Sequence, residues 1–148
     1  MNVAKKPTKK GKGGSKQAQP SGPMAALYNL DAGTPRGDAV RAVLAQRGIR
    51  VKTVTADHLN DPVGAVAGLP GFKPTSRPLE GEIPTCEFML LNNVTSAKLN
   101  ELLASMREAD CSVGCKAQVT QHNRLWPFAM LVREVSREHE LMMAREQE

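Results

Sequence analysis

Val54-Thr55 precedes Pro62 by the same interval that separates Val119-Thr120 from Pro127, so one short pattern returns 65 residues later. In each copy Val-Thr ends an expected strand. The proline opens an expected helix, because its fixed φ and missing N–H suit the first helical position. A chain carrying this echo folds most simply as two related halves with two similar polar loops.

The remaining punctuation supports that division. Met24 to Leu30 is an apolar run of strand length. Thr34 and Pro35 then supply an N-cap and a first helical residue, and Gly48 ends the helix. Ala39, Val40, Val43 and Leu44 form its apolar stripe. Ile49 to Thr55 alternates in polarity, as a half-covered or edge strand does. A short helix follows at 62–67. Leu69 to Thr85 is broken by Pro70, Gly71, Pro74, Pro78, Gly81 and Pro84 and reads as an irregular surface connection.

The second half repeats the order. Glu87 to Leu91 is a strand, and Thr95 caps a helix with Leu99, Leu102, Leu103 and Met106 on one face. Cys115 to Thr120 is the fourth strand. Pro127 starts a last helix that turns Phe128, Leu131, Val132 and Val135 inward and frays from Arg137 onward.

These elements predict an α/β fold. Its four-stranded, mostly parallel sheet comes from two pseudo-repeated β-α-β-α halves. The expected strand order is 2-1-3-4, with helices on both faces and a pseudo-twofold axis along the strands. A ferredoxin-like α+β sheet is the alternative. The helix at 62–67 decides between them: if it does not cross the sheet, the second and third strands run antiparallel.

Residues 1–23 differ from the rest. They hold six lysines and no acid among Gly, Ser, Gln and Pro. Such a composition predicts a disordered lysine-rich tail ahead of a single domain at 24–148. The body keeps 14 basic residues against 15 acidic ones, a net charge of −1. The basic balance of the whole chain is therefore a property of the tail, which is suited to non-specific, salt-dependent nucleic-acid contact. Met24, directly before the first strand, is an alternative start. No run approaches the roughly 20 apolar residues of a spanning helix. Three cysteines without paired spacing, Cys86, Cys111 and Cys115, suit reduced thiols in a cytoplasm.

In a doubly wound sheet ligands bind beyond the carboxyl ends of the strands. That rule brings Asn29 and Asp31 of the first half towards Asn92 and Asn93 of the second. Thr55, Asn60, Thr120, His122, Asn123 and Trp126 flank them. The expected ligand or partner surface is thus Asn29, Asn60, Asn93, Thr120, His122, Asn123 and Trp126, joined by Pro70-Gly71-Phe72. The same residue types also cap helices and hold turns. Trp126 either stacks on a ligand ring or plugs the core.

His122 is a candidate general base, but no nucleophile or acidic orienter adjoins it in sequence. A non-enzymatic binding or regulatory domain is the expectation, and a small enzyme using His122 the alternative. Cys111, Cys115 and His122 fall short of the four ligands of a structural zinc site, so no metal or other cofactor is expected. Gly33-Thr-Pro-Arg-Gly37 opens a helix after a strand but matches no phosphate-loop fingerprint.

Two segments, Ala67-Gly68-Leu69-Pro70-Gly71-Phe72 and Lys116 to Trp126, resemble an uncharacterised family of small bacterial domains of unknown function. In the second segment Lys116, Ala117, Thr120, Asn123 and Trp126 carry the resemblance, and Gln118 and Pro127 depart from it. The resemblance would span residues 24–141. It implies a bacterial cytoplasmic protein and brings no activity, cofactor or catalytic residue.

Overall fold

The computed structural model describes residues 22–75 and 77–146. The expectation for the lysine-rich segment falls on residues outside that range, apart from Gly22 and Pro23. The first half comprises β1 (Met24–Tyr28), α1 (Pro35–Gln46), β2 (Arg50–Val54), a 3-10 turn (Ala56–His58) and the one-turn helix α2 (Val63–Val66). The second comprises β3 (Phe88–Asn92), α3 (Ser96–Glu108), β4 (Lys116–Gln118) and α4 (Phe128–Glu146).

Capping chemistry sets the helix starts. Thr34 Oγ1 accepts from the Gly37 N–H and Thr95 Oγ1 from the Lys98 N–H, so each threonine satisfies one donor that its helix leaves open. Gly48, with φ at 71°, lets the chain leave α1 in the left-handed conformation. In contrast to the expected fraying, α4 stays helical through Glu146 although its residues from Glu140 onward are exposed.

The four strands form one open sheet in the order β2-β1-β3-β4. β1 pairs with β2 and β3 with β4 in parallel, whereas the central β1 and β3 are antiparallel, with Met24 opposite Asn92 and Tyr28 opposite Phe88. The sheet is therefore mixed: it is mostly parallel as expected, two of its three pairings being parallel, but the central pairing is antiparallel, and the sheet is not the ferredoxin-like alternative. The cause lies in α2. A single turn cannot carry the chain back along the sheet, so β3 enters from the end at which β2 finishes.

Direction then fixes the layers. Right-handed crossovers from two antiparallel central strands put α1 and α3 on the same face. They pack together there over Ala25, Leu27, Met89 and Leu91. The opposite face, with Met24, Ala26, Tyr28, Phe88 and Leu90, lies under α2 and α4. The central strands are covered on both sides, which explains their unbroken apolar runs. An axis relating the halves would stand perpendicular to the sheet, not along the strands.

Phe128 anchors the second layer. Its ring meets Tyr28 edge-on at 6.1 Å and Phe88 at 5.6 Å between centroids. Truncating it opens a cavity at the centre of that layer. Phe128→Ala is expected to lower stability by about 3–5 kcal/mol in urea unfolding. Met142→Ala, at an exposed position, should stay within about 0.5 kcal/mol of wild type.

Candidate functional site

The two loops that follow β2 and β4 leave opposite ends of the sheet and meet over its middle. Pro62 and Pro127 face each other in an isolated antiparallel bridge. Val63 N–H donates to the Trp126 carbonyl and Phe128 N–H to the Asp61 carbonyl, both at 2.8 Å. Gly64 N–H donates to Arg124 O and Ala129 N–H to Leu59 O, again at 2.8 Å. These bonds form reciprocal pairs at the 65-residue interval of the sequence echo. All four donors belong to the first turns of α2 and α4. Each loop's carbonyls therefore cap the other loop's helix, and the prolines at the bridge, which lack an N–H, lose nothing because the donors are the residues that follow them.

The first loop is held by Asp61, whose side chain is 4% exposed. Its Oδ2 lies 3.1 Å from His58 Nδ1 and its Oδ1 accepts from Thr75 N–H at 2.9 Å. Lys52 Nζ donates to Val66 O, the last residue of α2, at 2.9 Å. Burial pushes the Lys52 ammonium below its ordinary pKa, against the opposing pull of the Asp61 carboxylate.

The second loop is held by Asn123, which is buried. Its Oδ1 accepts from Thr120 N–H and its Nδ2 donates to Gln118 O, each at 2.9 Å. Thr120 Oγ1 in turn accepts from the N–H groups of Asn123 and His122. The turn is closed by its own side chains.

The connection 69–86 runs as a strap across this face. Asn60 Nδ2 donates to the carbonyls of Arg77 and Pro78. The Arg133 guanidinium donates to those of Glu80 and Glu82. Tyr28 Oη donates to Pro84 O at 2.5 Å. The strap separates two clefts, one of 520 Å³ beside Asp57, Asn60 and Arg77, and one of 420 Å³ against α4. Phe72, near its start, lies on Gly64, where an added Cβ would come within 2.7 Å of the ring. The Arg124 guanidinium stands 6.0 Å above the same ring.

This geometry divides the expected surface. Asn29 follows β1 and Asn93 follows β3, so the antiparallel pairing sends them to opposite ends of the sheet. The expected crevice between them does not form. Both take positive φ, 60° and 62°, a conformation that asparagine tolerates better than most residues. Asn29 Nδ2 donates to Cys86 O at 3.2 Å. Asn60 serves the strap, and Thr120 and Asn123 serve their own turn. His122 and Trp126 do meet, edge to face at 5.9 Å. Trp126 is half-buried against the core. Among the described residues, the His122 ring has no hydrogen-bond partner, and no group of three metal-ligating side chains occurs.

The His58–Asp61 pair and the Arg133 anchor were not singled out from sequence. His-x-x-Asp between a strand and a proline was the available signal for the first. Nothing local marks Arg133, whose partners are backbone carbonyls about 50 residues away.

If Asn123 holds the turn and His122 only lines it, the two substitutions should differ. Asn123→Ala strands the Thr120 N–H and the Gln118 carbonyl and is expected to cost about 1–3 kcal/mol of unfolding free energy. His122→Ala should leave the denaturation midpoint within about 0.5 kcal/mol of wild type.

Neither the curated proteins nor the solved structures contain a match to this chain. Residues 87–142, from the entry to β3 into the exposed part of α4, match a domain of unknown function, DUF3783; the match takes in the Lys116 to Trp126 segment and leaves out the Ala67 to Phe72 segment.

Proposed function

We propose that this chain is a small cytoplasmic binding module, non-enzymatic, whose docking surface is the outer side of the paired loops. The observation that carries the reading is Leu125. It is 73% exposed, more than any other large apolar side chain among the described residues. It also stands on a turn that four hydrogen bonds from Thr120 and Asn123 make rigid. A preorganised apolar side chain loses little entropy on docking. Arg124, His122 and Trp126 adjoin it in the chain, and Phe72 with the exposed Lys73 comes from the strap. The charge of this rim suits a protein segment that presents carboxylates beside an apolar side chain.

The same reading treats the halves as repeats of one β-α-β-α unit. The reciprocal bonds at the 65-residue interval support it, as do the matched threonine caps. In this scheme the second copy kept the exposed Arg124-Leu125 tip beside the half-buried Trp126, while the first kept His58 and Asp61 to hold the strap. Asn29 and Asn93 lie outside the surface. The six lysines of residues 1–23 support an additional role in non-specific nucleic-acid contact, independent of the loops.

Titrating the full chain with acidic amphipathic peptides, followed by Trp126 emission, tests the docking surface. Salt-sensitive binding is expected, with at least a tenfold loss in Leu125→Asp or Arg124→Glu, about 1.4 kcal/mol. Equal response to basic peptides, or unchanged affinity in both variants, would contradict it.

A further inference from the structure

The three cysteines divide between the two faces of the sheet. Cys111 is buried under α1 and α3. Cys115 is buried in the opposite layer, and Cys86 packs against that same layer while lining the 420 Å³ cleft between the strap and α4. The sheet brings these last two together. Lys116 is paired with Met89, and the Cys115 carbonyl accepts from Met89 N–H at 3.1 Å. Cys115 thus lies beside Phe88, and Cys86, two residues earlier, projects to the same side as Phe88. The pKa of the Cys115 thiol is raised above its ordinary value first by burial and then by the neighbouring Cys86 thiol.

We propose that Cys86 and Cys115 are a reversible dithiol–disulfide couple, and that Cys86 is the modification site for a low-molecular-weight disulfide entering the cleft between the strap and α4. Access decides the order of events. Cys86 reaches the cleft, whereas Cys115 is covered. Burial also holds the Cys115 thiol above its ordinary pKa, so it stays protonated at neutral pH and is the poorer first nucleophile.

The chemistry balances in two exchanges. Cys86 gives up its proton, and its sulfur attacks one sulfur of the small disulfide. That S–S bond breaks, one small thiolate leaves and takes up a proton, and a mixed disulfide remains on Cys86. The Cys115 thiol then loses its proton, and its sulfur attacks the Cys86 sulfur. The second small thiolate leaves and is protonated. The small disulfide has become two thiols, and the protein dithiol has become one disulfide. The new bond joins the end of the strap to the residue before β4, beside the Tyr28–Pro84 hydrogen bond. Because the second exchange needs Cys115 to deprotonate, it speeds up as pH rises.

Incubating the full chain with oxidised glutathione, followed by intact mass and peptide mapping, tests the couple. The wild-type chain should lose two hydrogens, yield a Cys86–Cys115 linked peptide and revert with dithiothreitol. Cys115→Ser should stop at a glutathione adduct on Cys86, and Cys111→Ser should behave as wild type. A wild-type chain that stays fully reduced would overturn the proposal. So would an adduct on Cys86 that never resolves internally, or a linkage through Cys111. The wild-type arm decides the matter even if a serine variant fails to fold.

Discussion

The first turns of α2 and α4 begin with N–H groups that no residue of their own helices can accept. The one-turn helix α2 has no side-chain cap. Instead the carbonyls of Leu59 and Asp61 serve α4, and those of Arg124 and Trp126 serve α2. Each such bond contributes only about 0.5–1.5 kcal/mol net, but a buried donor left open would cost about 1–3 kcal/mol. The pairing is thus favoured chiefly because its absence is so unfavourable. It also closes the layer over Phe128. The two prolines fit because in this bridge the donors are the residues that follow them.

That mutual capping gives a physical reason for the arrangement of the loops' polar side chains. With both loops drawn to the middle of one face, the polar side chains around them are committed. Asp61 joins the first loop to the strap, and Asn123 closes the second loop on itself. Phe72 occupies the space that Gly64 leaves by having no side chain. The groups that look most like site chemistry in sequence are largely the groups that hold the loops in place. The outward-facing tip of the second loop is what they leave available.

Much of the framework was legible. Threonine caps followed by good helix formers, continuous apolar runs in two strands and alternation in a third placed nearly every element and the strand order. The direction of β3 was harder to read. Phe88 to Leu91 are buried on both faces in either orientation, so their apolar pattern carries no sign. The length of α2 held that information, since four residues cannot return a chain across a sheet. Once β3 is reversed, Asn29 and Asn93 separate and the crevice expected between them disappears. The contacts of Tyr28 and Arg133 depend on where the strap lies, and an irregular segment has no periodicity from which to infer it. The extension of α4 to Glu146 was also missed, because a charged run is compatible with a solvated helix as well as with fraying.

The most direct test is amide hydrogen exchange at Val63, Gly64, Phe128 and Ala129. If the loops cap each other, these four amides exchange as one group, with protection comparable to that of the central strands β1 and β3. Fast exchange at α2 alone, with Phe128 and Ala129 protected independently, would show that the two helix starts are not coupled and would contradict the account.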